Sequence, residues 1–428
     1  MSHSTRSGGR ATGDARFRPT LTDGSNSFAE HTVLKRLPSV IDDVTESNTG
    51  LSEVQRESVR RFREEVVEDR RLTMFEPPAP DWDDWQRWFG AHQERMAEVG
   101  SSAPSARNAE WFFYEHFFYR KLIAATDWWA NGNDPFGAAK QRELAGEGLW
   151  RGLGQALETA QNAAPSTGSP EESAALAAVL SFSLWGNRID LSYNEVAALG
   201  QEDTGDRWLV RNDLAELLRT LEDPSRAGRP VHIVADNGGT ELAGDLAFSD
   251  HMLQESERQV YLHVKLHPTY VSDATPADVW DLVGKMRECS LGPAPELVQG
   301  LGKRLYRALQ AGRLRVVPDL YWNSPEFLDT LPPRLARPFS GAALVIFKGD
   351  MNYRRLIADV VPGATVPLSS VALYVPAPVL LVRILKSDAV VGLDGEVVSA
   401  LDGEDPQWRV NGRRGLMQFL SPQDASER

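Results

Sequence analysis

Asp236 and Asn237 stand side by side after the apolar run "VHIVA", and Gly238 and Gly239 follow them before a helical pattern begins. A carboxylate beside an amide oxygen offers the hard donors that Mg²⁺ or Mn²⁺ takes, with positions left for water and a phosphate oxygen. Asp273 in "YVSDAT" comes a few residues after a second apolar run, "VYLHVK". Lys348, Gly349, Asp350 and Asn352 form "FKGDMN" after "ALVI", and "VLLVRILK" ends with Arg383 and Lys386. Four separated segments thus supply acids for a cation, lysines for phosphate oxygens and glycines that let backbone approach a ligand closely. A helix starting near Gly239 would also point its first amide groups toward an anion.

The pattern around these residues predicts how they meet. From about residue 205 short β-branched runs alternate with amphipathic helices: "PVHIVAD", "QVYLHVK", "LRVVPD", "ALVIFKGD" and "VLLVRILK" read as strands. Such alternation makes a mostly parallel sheet covered by helices, a Rossmann-like α/β arrangement whose ligands sit outside the carboxyl ends of the strands. Residues 18–200 are helical in texture, with apolar residues three and four apart in "FAEHTVLKRLPSVIDDV", "VQRESVRRFREEVVEDRR" and "EWFFYEHFFYRKLIAATDWW". We therefore expect a disordered tail at 1–17, a helical subdomain at 18–200 and an α/β subdomain at 201–428 that carries the metal site. The polar stretch "QNAAPSTGSPEES" at 161–173 reads as a long connector.

Each candidate also has a plainer reading. An acid after a strand is often a helix N-cap, which applies to Asp236 and, before Pro276, to Asp273. Lys386 alone reads as a solvated lysine. The aromatic stripe in "EWFFYEHFFYRKL" reads as core, with Glu115 and Arg120 as residues that face a cleft. His263 and His267 lie on and after a strand and read as structural rather than as zinc ligands. The lone Cys289 has no activating neighbour, and no G-x-S-x-G, H-E-x-x-H or P-loop pattern occurs, which argues against covalent serine or cysteine catalysis.

Composition narrows the partners. A formal net charge of −14 disfavours nucleic acid, whose phosphates would be repelled over most of the surface. No run of 18 apolar residues and no charged-then-apolar leader is seen, so no membrane partner is expected, and a single cysteine fits a cytoplasmic setting.

The segments "ADNGGTEL", "HVKLHPTYVSDAT", "FKGDMNYRRL" and "RILK", in this order, resemble the signatures of the damage-control phosphatases, also known as domain of unknown function 89. The third subgroup is nearest, which includes a protein first described as an acidic-residue methyltransferase. "SFAEHTVLKRLPSVIDDV", "LWGNRIDLS" and the closing "WRVNGRRGLMQFL" extend the resemblance over about residues 18 to 420. It implies a metal-dependent phosphatase of small phosphorylated metabolites, such as sugar phosphates, using Mn²⁺, Mg²⁺, Co²⁺ or Ni²⁺. It places the metal on Asp236, Asn237 and Asp273, catalysis on Asp236, Lys348 and Asp350, and substrate on Asn187, Glu241, Gly349, Asn352, Arg383 and Lys386. The subgroup's Arg-Thr-x-Lys signature falls on Arg383 to Lys386, with Ile384 in the threonine's place. Two other classes stay open. One is an S-adenosylmethionine-dependent carboxyl methyltransferase with Glu241 on its cofactor, and the other is a non-catalytic binder of phosphorylated metabolites.

Overall fold

The computed structural model describes residues 18–76, 78–101, 103–163, 170–186, 208–254 and 257–422. The expected tail at 1–17, the middle of the 161–173 connector, and Asn187, Arg188 and Asp190 lie outside them.

Among the described residues seven strands form one sheet: β1 Leu209–Asn212, β2 Val231–Val234, β3 Val260–Lys265, β4 Leu314–Asp319, β5 Leu344–Lys348, β6 Val379–Ile384 and β7 Gly415–Leu420. Their order is β1-β7-β6-β5-β2-β3-β4. β2 through β6 are mutually parallel, while β7 runs antiparallel to β6 and β1 parallel to β7. The five strands read from the sequence are β2 to β6. β2, β5 and β6 are buried at every position, as strands covered by helices on both faces must be, so each appears as an unbroken apolar run.

The chain moves from β2 outward to β3 and β4, then returns to the other side of β2 for β5 and β6. The carboxyl ends of β2 and β5, paired through Val234 and Phe347, therefore flank the point where the strand order reverses. A crevice opens at such a point because the connections leave in opposite directions. Asp236 lies just beyond β2 there, and Lys348 ends β5.

Three apolar clusters hold the molecule together. One face of the sheet packs under the helices Glu147–Ala163, Pro170–Trp185, Gly239–Gln254, Pro276–Arg287 and Pro295–Gln310, so the first two of these helices share the sheet's own core. The other face packs beneath Pro333–Ser340, Gly349–Leu356 and Gly395–Glu404. The third cluster joins the N-terminal helices around the aromatic helix Trp111–Ala125, and Tyr270, Val271 and Leu320 from the α/β part pack against it. Twelve of that helix's fifteen residues are buried, which is why it is apolar on all sides rather than striped.

Candidate active site

After β2 the chain does not enter the next helix directly. Asn237 forms an isolated antiparallel bridge with Asp273, Gly238 N donates to Ser272 O at 2.6 Å, and Ala274 N donates to Asp236 O at 2.8 Å. These bonds zip the loop after β2 to the loop after β3, so Asp236, Asn237 and Asp273 come together although 37 residues separate the first from the last.

Neither aspartate is used as a helix cap. The helix Gly239–Gln254 is closed by Glu143, whose Oε1 accepts from the Thr240 amide and hydroxyl, each at 2.7 Å. The helix Pro276–Arg287 is closed by Asp278, which accepts from the Thr275 amide at 2.8 Å and its hydroxyl at 2.7 Å. The capping reading is thereby excluded for both, and their carboxylates are left for other work. Glu143 also corrects the expectation that the helix from Gly239 offers its first amides to a substrate anion: the chain's own carboxylate takes the Thr240 amide.

Burial raises Asp236 well above the usual carboxylate range, and the negative charges of Asp273 and Glu241 add to the effect. Burial likewise pushes Asp273 up to about 6, against the opposing pull of Lys265, whose Nζ lies 3.3 Å from Asp273 Oδ2. Lys265 is buried and also donates to Trp322 O at 3.0 Å; it was not singled out in the sequence. Even with this lysine the two buried carboxylates outnumber the ammonium beside them, and their repulsion favours a proton unless a cation takes its place.

The donor set fits a hard divalent cation. Two carboxylates and one amide stand together: Asn237 Nδ2 donates to Asp236 Oδ2 at 3.3 Å, Asn237 Oδ1 accepts from Ser272 Oγ at 2.5 Å, and Asp273 Oδ2, beside Lys265, is a buried oxygen without a hydrogen-bond donor. Among the described residues no three His, Cys, Asp or Glu side chains gather as a metal cage, so the set depends on the Asn237 amide for its third donor.

Gly349 makes the approach of β5 possible. Its φ is +79°, and a Cβ there would fall 1.9 Å from Asp236 Oδ2. Any side chain would displace the carboxylate. Asp350, half-buried at the rim, is held by Arg383 Nη2 at 3.1 Å and accepts from Ser387 Oγ at 2.9 Å. Lys386 is exposed at the same rim, and its charge acts on Asp236.

The remaining candidates sit differently from what contact with substrate would need. Lys348 is 1% exposed and donates to Ser183 Oγ at 2.5 Å, Asp245 Oδ1 at 2.9 Å and Glu241 Oε1 at 3.0 Å. An ammonium has three N–H bonds, and all three are taken, so the role of phosphate clamp does not fit it. Glu241 is buried between Lys348 and Asn237, whose Nδ2 donates to Oε2 at 2.9 Å. Arg383 stacks 4.1 Å over Tyr353 and donates to Ala389 O at 2.7 Å. Asn352 is fully buried and ties the two strand ends, donating to Lys348 O at 2.8 Å and Ala235 O at 3.3 Å. Ile384 packs in the apolar cluster on one face of the sheet while Leu385 packs in the other. The exchange at the threonine position thus changes core packing.

Ser183, Asp245, Ser272 and Ser387 were missed. Glu241 and Asp245 lie one helical turn apart in the apolar run "TELAGDLAF", and two acids in a buried helix require a cation; that was the available signal. Of the histidines, His263 accepts or donates to His232 at 2.9 Å and His267 Nδ1 pairs with Pro268 O at 2.9 Å, both buried. Arg120 does not face the cleft: it is fully buried, bidentate to Asp81 at 2.6 Å and 4.0 Å over Phe75.

Comparison with known proteins bears on this geometry. A family model described as the damage-control phosphatase ARMT1-like domain matches residues 31–401. The damage-control phosphatase ARMT1 of Rattus norvegicus is 27% identical over 442 residues, covering 92% of this chain and 97% of the relative. The protein of the same name from Homo sapiens is 24% identical over 439 residues, again covering 92% and 97%. Among solved structures, a DUF89 family protein from Pyrococcus horikoshii aligns with 91% of this chain and 96% of its own, at 13% identity and a TM-score of 0.47.

Proposed function

From the premise that the chain belongs to the damage-control phosphatase ARMT1-like family, we propose that it hydrolyses phosphate monoesters of small metabolites, sugar phosphates among them, with a divalent cation held by Asp236, Asn237 and Asp273. Mn²⁺, Mg²⁺, Co²⁺ and Ni²⁺ are the candidate ions. The observation that carries this reading is the Asn237–Asp273 bridge at the reversal point of the sheet, with both aspartates free of capping duty.

When bound, the cation supplies charge neutralisation at a phosphoryl oxygen and orients the ester for in-line displacement. The chain's own residues do the rest. Asp236 lines the floor at the end of β2, and Gly349 keeps the opposite wall far enough back for the carboxylate to stand there. Lys386 brings an exposed ammonium to the rim, where it compensates the phosphate charge that the buried residues leave unbalanced. Asp350, fixed by Arg383 and Ser387, faces the same rim and accepts hydrogen bonds from the hydroxyls of a sugar or similar metabolite.

The helical part is proposed to close one side of the crevice. Its support is the contact of Tyr270 with Tyr119, ring centroids 4.6 Å apart, which joins the Asp273 loop to the N-terminal core. The division near residue 200 stays part of the proposal, with the helices Glu147–Ala163 and Pro170–Trp185 packed on the sheet side. A cytoplasmic site of action is proposed from the single buried Cys289; no described helix is long and apolar enough to cross a membrane.

The test is phosphate release over a panel of sugar and nucleotide monophosphates, with each of the four ions and with excess chelator. Metal-restored release from at least one ester is expected. Release that persists undiminished in chelator would remove the cation from the reading, and methyl transfer from S-adenosylmethionine without phosphate release would replace it.

A further inference from the structure

Lys348, Glu241, Asp245 and Ser183 form a buried group that meets the crevice at Asn237. The Glu241 carboxylate is engaged at both oxygens: Oε1 accepts from Lys348 Nζ at 3.0 Å and Oε2 accepts from Asn237 Nδ2 at 2.9 Å. An amide has one oxygen end and one nitrogen end. The nitrogen, fixed on Glu241 and donating also to Asp236 Oδ2 at 3.3 Å, turns Oδ1 to the Asp273 side, where Ser272 Oγ donates to it at 2.5 Å beside the Asp273 bridge. A flipped amide would set its oxygen against a carboxylate oxygen inside the protein, where repulsion is poorly screened.

Glu241 can hold this position only while its charge is balanced. Asp245 lies one turn further along the same helix and shares the ammonium, with Lys348 Nζ 2.9 Å from Asp245 Oδ1 and Ser183 Oγ donating to that oxygen at 2.6 Å. Close helix packing brings Ser183 there: a Cβ on Gly244 would fall 2.4 Å from Ser183 Cα. Without Lys348 two adjacent buried carboxylates would face each other, and one would take a proton or turn toward the cation.

We infer that Lys348 and Glu241 form a positioning relay that orients the Asn237 amide toward the cation, so that Lys348 governs metal affinity without touching the substrate. The inference rests on the reading of Asn237 as a ligand. Partners of this kind behind a metal ligand typically change affinity by about 10- to 100-fold when removed.

The experiment measures Mn²⁺ binding to metal-free protein by titration calorimetry, with no substrate present, for the wild type, Asn237→Ala, Glu241→Gln, Lys348→Met and the double variant Lys348→Met/Glu241→Gln. Glu241→Gln alone sets a side-chain NH₂ against Asn237 Nδ2, because its oxygen remains on Lys348; affinity is expected to fall about tenfold or more. Lys348→Met is expected to fall by a similar factor. In the double variant the glutamine oxygen is released to accept from Asn237, and affinity is expected to return to within about threefold of wild type. At saturating Mn²⁺ the KM of Lys348→Met for p-nitrophenyl phosphate should stay within about threefold of wild type, which a phosphate clamp would not allow.

Unchanged Mn²⁺ affinity in Glu241→Gln, a double variant no tighter than its parents, or a large KM rise at saturating metal would each overturn the relay. Should Lys348→Met not fold, Glu241→Gln and the double variant decide by themselves. A wild type that binds no Mn²⁺, or binding indifferent to Asn237→Ala, removes the ligand reading and the relay with it. Binding that needs Asn237 but ignores Glu241→Gln overturns the relay alone.

Discussion

Arg354 Nη1 donates to Glu115 Oε2 at 2.6 Å, linking the helix that begins at the end of β5 to the aromatic helix of the N-terminal core. The same guanidinium reaches Asp359 through Nε at 2.6 Å and lies 3.7 Å over Trp111. All three charged groups are buried. Asp350 and Asn352 stand on the first turn of that helix, so the link fixes the crevice wall against the helical part.

Removing one member of this link strands the others. Glu115→Ala is expected to cost about 3–5 kcal/mol, the range for a buried charge that loses its partner. Glu115→Gln keeps a hydrogen-bond acceptor, and Asp359 still compensates Arg354, so about 1–3 kcal/mol is expected. Urea unfolding checks both; a loss below about half a kcal/mol for the alanine variant, as for a surface site, would show that the link carries no weight.

Gly349 offers a sharper probe of the site itself. Gly349→Ala places a methyl group where Asp236 Oδ2 now stands, and it strains a left-handed backbone by about 1–2 kcal/mol. The expected result is a folded protein whose kcat/KM for phosphate esters is down by about 10²-fold, comparable with losing one stabiliser of the transition state. Wild-type kinetics in this variant would mean that Asp236 can move without consequence and is no part of the machinery.

Much of this arrangement can be read from residue order, and the part that cannot has a definite physical cause. β2 to β6 are visible because strands buried on both faces are apolar at successive positions. β1, "LVRN", is an edge strand half exposed to water, and nothing in four such residues separates it from a loop. The strand-end rule selects Asp236, Asn237 and Asp273 correctly as neighbours, since a parallel sheet sends all its carboxyl ends to one rim. It fails for Lys348 because a long side chain at a strand end either reaches outward or folds back. The choice is made by Ser183 and Asp245, which are 165 and 103 residues away in the chain. Likewise the strained pair Tyr270 and Val271, with φ of 49° and 70°, sits just before Ser272 and Asp273 and is set by packing on the distant aromatic core.

Acid sensitivity should show two separate windows. His232 is buried beside His263, with Nδ1 and Nε2 2.9 Å apart, and burial lowers its pKa from 6.5 to about 4. A histidine held neutral stabilises the fold fully above its unfolded pKa, and that contribution is lost as pH falls from 6.5 toward 4. Glu110, paired with His92 and Arg95, is lowered from 4.5 to about 2, so its contribution is intact above 4.5 and fades from there down to 2. Stability measured by urea from pH 7.5 to 3 should therefore begin to fall below 6.5, and the double variant His232→Phe/His263→Phe should make the upper part of this decline shallower while keeping the lower, the remainder of the upper part belonging to His92, His116 and His267, which burial also holds neutral. A variant with an undiminished upper decline would show that the histidine pair does not contribute to it.

Lys386 gives the last prediction. It lies beyond β6, exposed at the rim, whereas its neighbours in the segment are absorbed by the fold: Arg383 is buried on Tyr353 and backbone carbonyls, and Ile384 and Leu385 enter opposite apolar layers. Lys348 is consumed by three internal acceptors, which leaves Lys386 as the lysine whose charge reaches Asp236 from an exposed position. Lys386→Met keeps most of the stem and removes the charge. If the ammonium meets the phosphate opposite the cation, kcat/KM should fall by about 10²-fold or more, the scale of removing one charge-assisted hydrogen bond from a developing negative centre. The folded state should scarcely notice, with a stability change of about half a kcal/mol or less for an exposed side chain. Steady-state kinetics and urea unfolding of the same preparation decide the matter: unchanged kinetics would make Lys386 a solvated lysine, and a large stability loss would make its role structural.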